Sequence, residues 1–280
     1  MEKVFPITSQ KNAWYDFILP PNMAGKLFIG TSGWNYKHWV GRFYPEQTPA
    51  SQFLSYYLKF FQTVELNNSF YMLPAKQTFI KWKNAVPEYF IFSVKANRYI
   101  THMKKLKDPE SIVEKFMDHV SGLEEKLGPV LFQLPPGWKI NEERLKEFLE
   151  VLPAGKRYAF EFRNRTWYDK NIFTLLKKHN CAFCIYELNG HLSPLEVSAD
   201  FVYVRLHGPG AKYEGSYSDE ILKQWASRCK QWLKEKKDVY FYFDNDQNAY
   251  AAFNAQRLKE LCDKSEMPEW VPPALILLPD

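Results

Sequence analysis

Eight short runs rich in β-branched and aromatic residues alternate with longer amphipathic stretches, and this rhythm constrains the fold more than any other feature of the chain. The runs are LFIGTSGW (27–34), TVELNNSFY (63–71), YFIFSVKAN (89–97), VLFQLP (130–135), YAFEFR (158–163), AFCIYE (182–187), FVYVRLHG (201–208) and VYFYFDN (239–245). Helical spacing of apolar residues occupies 49–61, 75–85, 108–127, 141–151, 169–180, 218–236 and 249–262. Thr48-Pro49, Asp108-Pro109 and Asn141 ahead of Glu142 and Glu143 mark helix starts. Only 188–200 is too short and too proline-broken to read as a helix. Strands alternating with helices pair in parallel through right-handed crossovers. Eight such units in roughly 250 residues fit one α/β domain, a (β/α)8 TIM-like barrel. The alternative is a doubly wound open sheet, but no G-x-G-x-x-G follows the first run to support a dinucleotide-binding version. The barrel is expected over 27–265, with 1–26 as an N-terminal extension packed on it and 266–280 as a C-terminal tail.

Polar residues recur at alternate positions near the C-terminal ends of these runs. They are Glu65, Asn67 and Ser69; Ser93, Lys95 and Asn97; Gln133; Glu161 and Arg163; Arg205 and His207; and the ending Asp244-Asn245-Asp246. Residues two apart on a strand share a face. In a barrel one set faces the interior and the other the helices, so the apolar set must be the helix-facing one. The polar set then gathers at the end where barrel active sites are built. Two readings follow: an ion network that neutralises itself and plugs the mouth, or a site. Burying so many charges is costly without a purpose, which favours the site. Trp34, Tyr36, Phe70, Tyr71, Trp138, Trp167, Tyr213 and Tyr217 are expected to rim the same end, where they could stack on a ring, base or sugar.

Taken together and in order, IGTSGWNYKHWVGRFYP, VELNNSFY, FSVKANRYITH, LFQLPP, EFRNRTW, VRLHG and YFDNDQNAYAAFNA resemble the YecE-like family, domain of unknown function 72, from about residue 27 to 262. The resemblance implies a TIM-like barrel and supplies no reaction. This chain departs from the family pattern at Asn164, where His is common after the EFR motif, and at Asp244, where the eighth strand usually carries Asn.

Two functional classes follow from the residues. In the first, an enzyme acts on an anionic, phosphorylated substrate, as a phosphoester hydrolase or a sugar-phosphate isomerase. Arg163 and Arg205 would clamp the anion, and Lys95 would add a point charge. Glu65 or Glu161 would act as base and His207 as proton donor. Asn67, His102, Gln133, Asn245 and Asp246, with the rings of Trp34, Tyr71 and Trp167, would complete the substrate contacts. No G-x-S-x-G is present, and no Cys closes a strand. In the second class, the same cationic mouth holds nucleic acid without turnover.

A metal-dependent, endonuclease-like enzyme is a further alternative, by analogy of fold alone. Its metal would need His102, His207, Glu65, Glu161 and Asp246, among inward cations that repel a divalent ion. No metal or other cofactor is therefore expected. The partners expected are an anionic small molecule or nucleic acid, a choice that the net charge of +5 favours only weakly. The pair Cys181 and Cys184 reads as strand packing. With neither a membrane-length apolar segment nor a secretory leader pattern at its start, the chain is expected to be cytoplasmic.

Overall fold

The computed structural model describes residues 25–210 and 213–263, so the expected extension (except Gly25 and Lys26) and tail lie outside the described residues. The expected runs become strands β1 Leu27–Thr31, β2 Thr63–Leu66, β3 Ile91–Lys95, β4 Leu127–Leu134, β5 Tyr158–Phe162, β6 Ala182–Leu188, β8 Phe201–Leu206 and β9 Asp238–Phe243. The stretch after β6 carries no helix. It folds back as a short strand, β7 His191–Leu192, antiparallel to β6. The eight main strands run parallel in the order β1-β9-β8-β6-β5-β4-β3-β2, a nearly closed TIM-like barrel.

Helices α1 Phe53–Tyr57, α3 Lys76–Asn84, α4 Pro109–Val120, α5 Glu142–Glu150, α6 Lys170–Lys178, α7 Asp219–Lys234 and α8 Tyr250–Asp263 match the amphipathic stretches. On α7 the buried residues Leu222, Trp225, Ala226, Cys229 and Trp232 follow the helical period and pack against the sheet's outer face. The Asn141 side chain accepts a hydrogen bond from the Arg144 amide, as a helix start requires. The other two expected starts do not cap with side chains. Asp108 adopts a left-handed conformation, and the Thr48 hydroxyl bonds back to the Pro45 carbonyl.

One expected strand is cut short. Asn67 turns into the helical region, so β2 ends at Leu66 and a one-turn helix, α2 Asn68–Tyr71, follows. Ser69 therefore does not continue the strand's alternation. Its hydroxyl reaches across to the Lys95 carbonyl at 2.7 Å and ties α2 to the end of β3.

Between β1 and β2 the strands are bridged by side chains. The Thr31 amide donates to the Tyr57 hydroxyl (3.1 Å), which donates to the Thr63 carbonyl (3.0 Å). The Gln62 side-chain amide donates to the Leu27 carbonyl at 2.9 Å. The strands approach so closely that a Cβ on Gly30 would lie 2.4 Å from the Thr63 carbonyl oxygen, a position only glycine fits. Tyr57 is fully buried. Tyr57→Phe strands a buried amide and a buried carbonyl, and is expected to cost about 1–3 kcal/mol in chemical denaturation. A loss below about 0.5 kcal/mol, the range of ordinary surface changes, would mean the hydroxyl does not close the seam.

The interior is layered as the period-2 argument requires. Phe28, Phe201 and Tyr240 form a floor, and Leu131, Ala159, Ala182, Cys184, Tyr203 and Tyr242 pack with them. Above the tyrosines the inward positions turn polar on every main strand except β6, which continues with Tyr186 and Leu188, and that layer supports the mouth.

Candidate functional site

Arg205 lies at the centre of the polar layer with no exposed surface. Its Nε and Nη2 donate to Glu65 Oε1 at 3.1 and 2.8 Å. Nη1 donates to Glu161 Oε2 at 2.8 Å, and Nη2 also donates to Asp244 Oδ2 at 3.0 Å. Glu65 accepts two further hydrogen bonds: Ser32 Oγ donates to Oε1 and the Tyr203 hydroxyl to Oε2, both at 2.7 Å. Arg163 Nε donates to Glu161 Oε1, and its guanidinium covers the Tyr186 ring at 4.7 Å. Even the Cys184 thiol points at Glu161, its Sγ 3.7 Å from Oε2, and Cys181 is likewise buried without a disulfide.

Burial alone would push the Glu161 carboxyl up, but Arg163 and then Arg205 outweigh it and hold the group well below the usual carboxylate range. Asp244 is likewise held low against burial, by His207 and Arg205. His207 is held the other way. Burial first, then Arg205, pushes its imidazole down to about 4. Its Nε2 faces Arg163 Nη2 at 2.9 Å and Arg205 Nη1 at 3.3 Å. Two guanidinium donors assign the lone pair to Nε2 and the proton to Nδ1. That nitrogen lies 3.0 Å from Asp244 Oδ2, although the contact is too poorly aligned for a good hydrogen bond.

Several expected roles are therefore corrected. Arg205 is no open clamp, because its donors are spent on three carboxylates. Glu65 and Glu161 are fully buried and committed to Arg205, Arg163 and neighbouring hydroxyls beneath the cavity, which does not suit them as bases acting on a ligand. His207 is fully buried, its Nε2 is held by Arg163 and Arg205, and it does not line the cavity above, which does not suit it as proton donor to a ligand. For these four residues the self-neutralising network is the better description, and it forms the floor of the site.

The open space lies above that floor. A cavity of about 440 Å³ is lined by Phe70, Tyr71, Lys95, His102, Gln133 and Pro136 on one side, and by Arg163, Arg165, Tyr186, Leu188, His191 and Tyr213 on the other. Three cations and no carboxylate line it. Burial, then Lys95, Arg98 and Arg163, pushes His102 down to about 4, so its imidazole is neutral. Arg165 is exposed and reaches His191 Nδ1 at 3.2 Å.

Of the expected ligand contacts, Lys95, Arg163, Tyr71, His102 and Gln133 line this cavity. The others do not. Trp167 is fully buried, stacked on Phe162, and donates its indole N–H to the Trp138 carbonyl. Trp34 packs edge-on against Trp82 of α3. Asn67 donates to the Ser32 carbonyl. Asn245 is buried and ties β9 to Gly215 and to Asn254 of α8. Asp246 lines an adjacent, more open hollow with His38 and Arg42. Tyr217 is buried under the mouth, where its hydroxyl accepts from the Gly208 amide.

Arg165, Tyr186 and His191 were not anticipated. Tyr186 is in phase with Cys184, so period 2 could have found it, whereas Arg165 opens a 3-10 turn beyond the end of β5, where the alternation no longer applies. His191 came from the segment without a readable pattern. Asn164, one of the two departures, accepts from the Thr166 amide and hydroxyl and donates to the Pro136 carbonyl, shaping the loop that carries Arg165. Among the described residues no group of three or more His, Cys, Asp or Glu side chains is arranged to hold a metal ion. No helix among them is long and apolar enough to cross a membrane.

Comparison with known proteins gives a consistent picture. The model of the family described as "Protein of unknown function DUF72" matches residues 28–274. UPF0759 protein YunF of Bacillus subtilis is 25% identical over 274 residues, covering 85% of this chain and 95% of YunF. UPF0759 protein YecE of Escherichia coli K12 is 27% identical over 145 residues, 51% of each chain. A crystal structure of a DUF72 family protein from Thermotoga maritima superposes with a TM-score of 0.78 at 30% identity, covering 85% of this chain and all of that one. A DUF72 family protein from Enterococcus faecalis, 20% identical with a TM-score of 0.71 over 87% of this chain and 100% of its own, shares the fold.

Proposed function

The chain belongs to the DUF72 family of proteins of unknown function, and on that premise we propose that its mouth cavity binds a small phosphorylated anion and processes it as a hydrolase or isomerase. One observation carries the reading: Lys95, Arg163 and Arg165 line a cavity of about 440 Å³ to which no carboxylate contributes. That volume suits a small ligand such as a sugar phosphate. Phe70, Tyr71, Tyr186 and Tyr213 offer aromatic faces for the uncharged part of the ligand. Proton transfer falls to groups that reach the cavity, the neutral His102 and the Lys95 amine, rather than to Glu65, Glu161 or His207. The metal-dependent alternative gains no support from the geometry of the described residues.

A second reading, nucleic-acid binding without turnover, draws on the exposed Tyr71, Met72, Tyr99 and Met103. Such side chains could stack on or pack against successive bases.

Binding should discriminate. Arg165→Ala removes an exposed guanidinium, so the melting temperature should hold while affinity for a phosphorylated ligand falls about tenfold, the worth of one charge-assisted contact. Titrations against sugar phosphates and a single-stranded oligonucleotide, each at low and high salt, check this. A single phosphate clamp gives a shallow salt dependence, and several backbone phosphates a steep one. Affinities unchanged in Arg165→Ala would sink both readings.

A further inference from the structure

Two lysines are buried in the described structure, and they are treated differently. Lys126 is held structurally, its ammonium donating to the Lys83 and Val86 carbonyls at 2.8 and 2.7 Å. Lys95 is only 8% exposed, yet no hydrogen bond or ion pair to its Nζ is found among the described residues. Three carboxylates lie in the layer beneath it, but each is bonded to Arg205, and Arg163 and His207 take further positions on Glu161 and Asp244. What Nζ meets is the Phe70 ring, 4.3 Å away at its centroid, and the cavity.

A buried ammonium without a partner is costly, so a lysine kept purely for stability would be expected to reach a carboxylate or carbonyl. The stem of Lys95 is anchored. It is the last residue of β3, its carbonyl accepts from Ser69 Oγ, and the next amide bonds to Leu131. The amine therefore projects from a rigid strand end into a cationic, aromatic-walled cavity.

We propose that Lys95 is the nucleophile of this cavity and condenses with the carbonyl of a phosphorylated aldehyde or ketone. The assignment rests on the anion-binding reading above, and it narrows the substrate class to carbonyl compounds. The free amine adds its lone pair to the carbonyl carbon, and the carbonyl oxygen takes up a proton to give a carbinolamine. Loss of that oxygen as water, with a second proton leaving nitrogen, yields an imine. Burial and then Arg205 push the ammonium down to about 8, so free amine is present near neutral pH. Arg163 and Arg165 would hold the phosphate. The neutral His102 on the cavity wall is available to carry the protons.

The test uses the full chain with pyridoxal 5′-phosphate, followed by borohydride reduction and peptide mapping by mass spectrometry. Pyridoxal, which lacks the phosphate, is the parallel probe. The expected result is an adduct at Lys95 well ahead of exposed lysines such as Lys139. Inorganic phosphate should suppress it, labelling by pyridoxal should be about tenfold weaker, and Arg165→Ala should reduce the phosphate probe's advantage. Lys95→Arg, which keeps the charge, should bind phosphate in a thermal-shift assay and form no adduct in the cavity. Equal labelling of Lys95 by both probes would leave the nucleophile standing and remove the anion reading. Phosphate binding that is lost in Arg165→Ala, with Lys95 labelled no faster than exposed lysines, would overturn the nucleophile alone. Neither binding nor preferential labelling would overturn both.

Discussion

Arg205→Met is expected to remove about 3–5 kcal/mol of stability, the scale on which broken buried ion pairs are felt. That is a large share of the 5–15 kcal/mol that typically holds a domain together. The charges of the layer explain why. Arg163, Lys95 and Arg205 face Glu65, Glu161 and Asp244, three positive against three negative with His207 neutral, so removing Arg205 leaves a buried net charge of −1. Glu161 keeps Arg163, but Glu65 loses the one guanidinium bonded to it and keeps only Ser32 and Tyr203. Adding Glu65→Gln to Arg205→Met restores the balance and should recover part of the loss. Arg205→Lys should recover less than the native guanidinium, because one ammonium cannot address three carboxylates along a planar fork. Urea denaturation of the three variants measures this. A loss of under about 1 kcal/mol in Arg205→Met, within the range of an ordinary substitution, would mean the network is not what seals the barrel.

The same residue shows how much the sequence makes legible. Alternation alone placed Glu65, Lys95, Glu161, Arg163 and Arg205 on the inner face of their strands, because side-chain direction in a strand depends only on position parity. It also implies two members not singled out, since Tyr203 and Tyr242 are in phase with Arg205 and Asp244. Parity cannot say how deep in the barrel a residue lies, and depth separates floor from cavity here. Arg205 sits low enough for its side chain to be enclosed by three strands' carboxylates. Arg163, just past the end of β5 and two residues beyond Glu161, lines the cavity. The aromatic residues failed for another reason. Trp167 and Trp34 follow strand ends in sequence, but loops fold back, and a large apolar ring finds more to bury against Phe162 or Trp82 than at a wet rim. His191 was invisible because a two-strand hairpin, β6 with β7, replaces the helix there. Its position is set by the β6–β7 turn, which the strand and helix periodicities do not describe.

Acid should unfold this protein earlier than its carboxylates would require. His207 is fully buried and its imidazole is pushed down to about 4 in the folded chain, whereas in the unfolded chain it titrates near 6.5. Between those values the unfolded state binds the extra proton, so stability falls as pH falls, beginning near 6.5 and complete near 4. A displacement of this size corresponds to something on the order of 3 kcal/mol. The physical cause is the pair of guanidiniums at Nε2: a second proton on the ring would have to point at Arg163 and Arg205. His102, half-buried and pushed down to about 4 as well, adds a smaller loss in the same window. Glu161 and Asp244, both held low, contribute a separate loss only below the ordinary carboxylate range. His207→Asn separates these contributions. An asparagine can turn its carbonyl oxygen to the guanidiniums and its amide N–H toward Asp244, and it does not titrate. Its stability at pH 7 is not the measure; the slope is. Unfolding free energies of wild type and His207→Asn at intervals from pH 7 to 4 should diverge, with the variant losing markedly less. Parallel curves would show that the imidazole accepts its proton as readily in the barrel as in water, and that the two arginines do not hold it neutral.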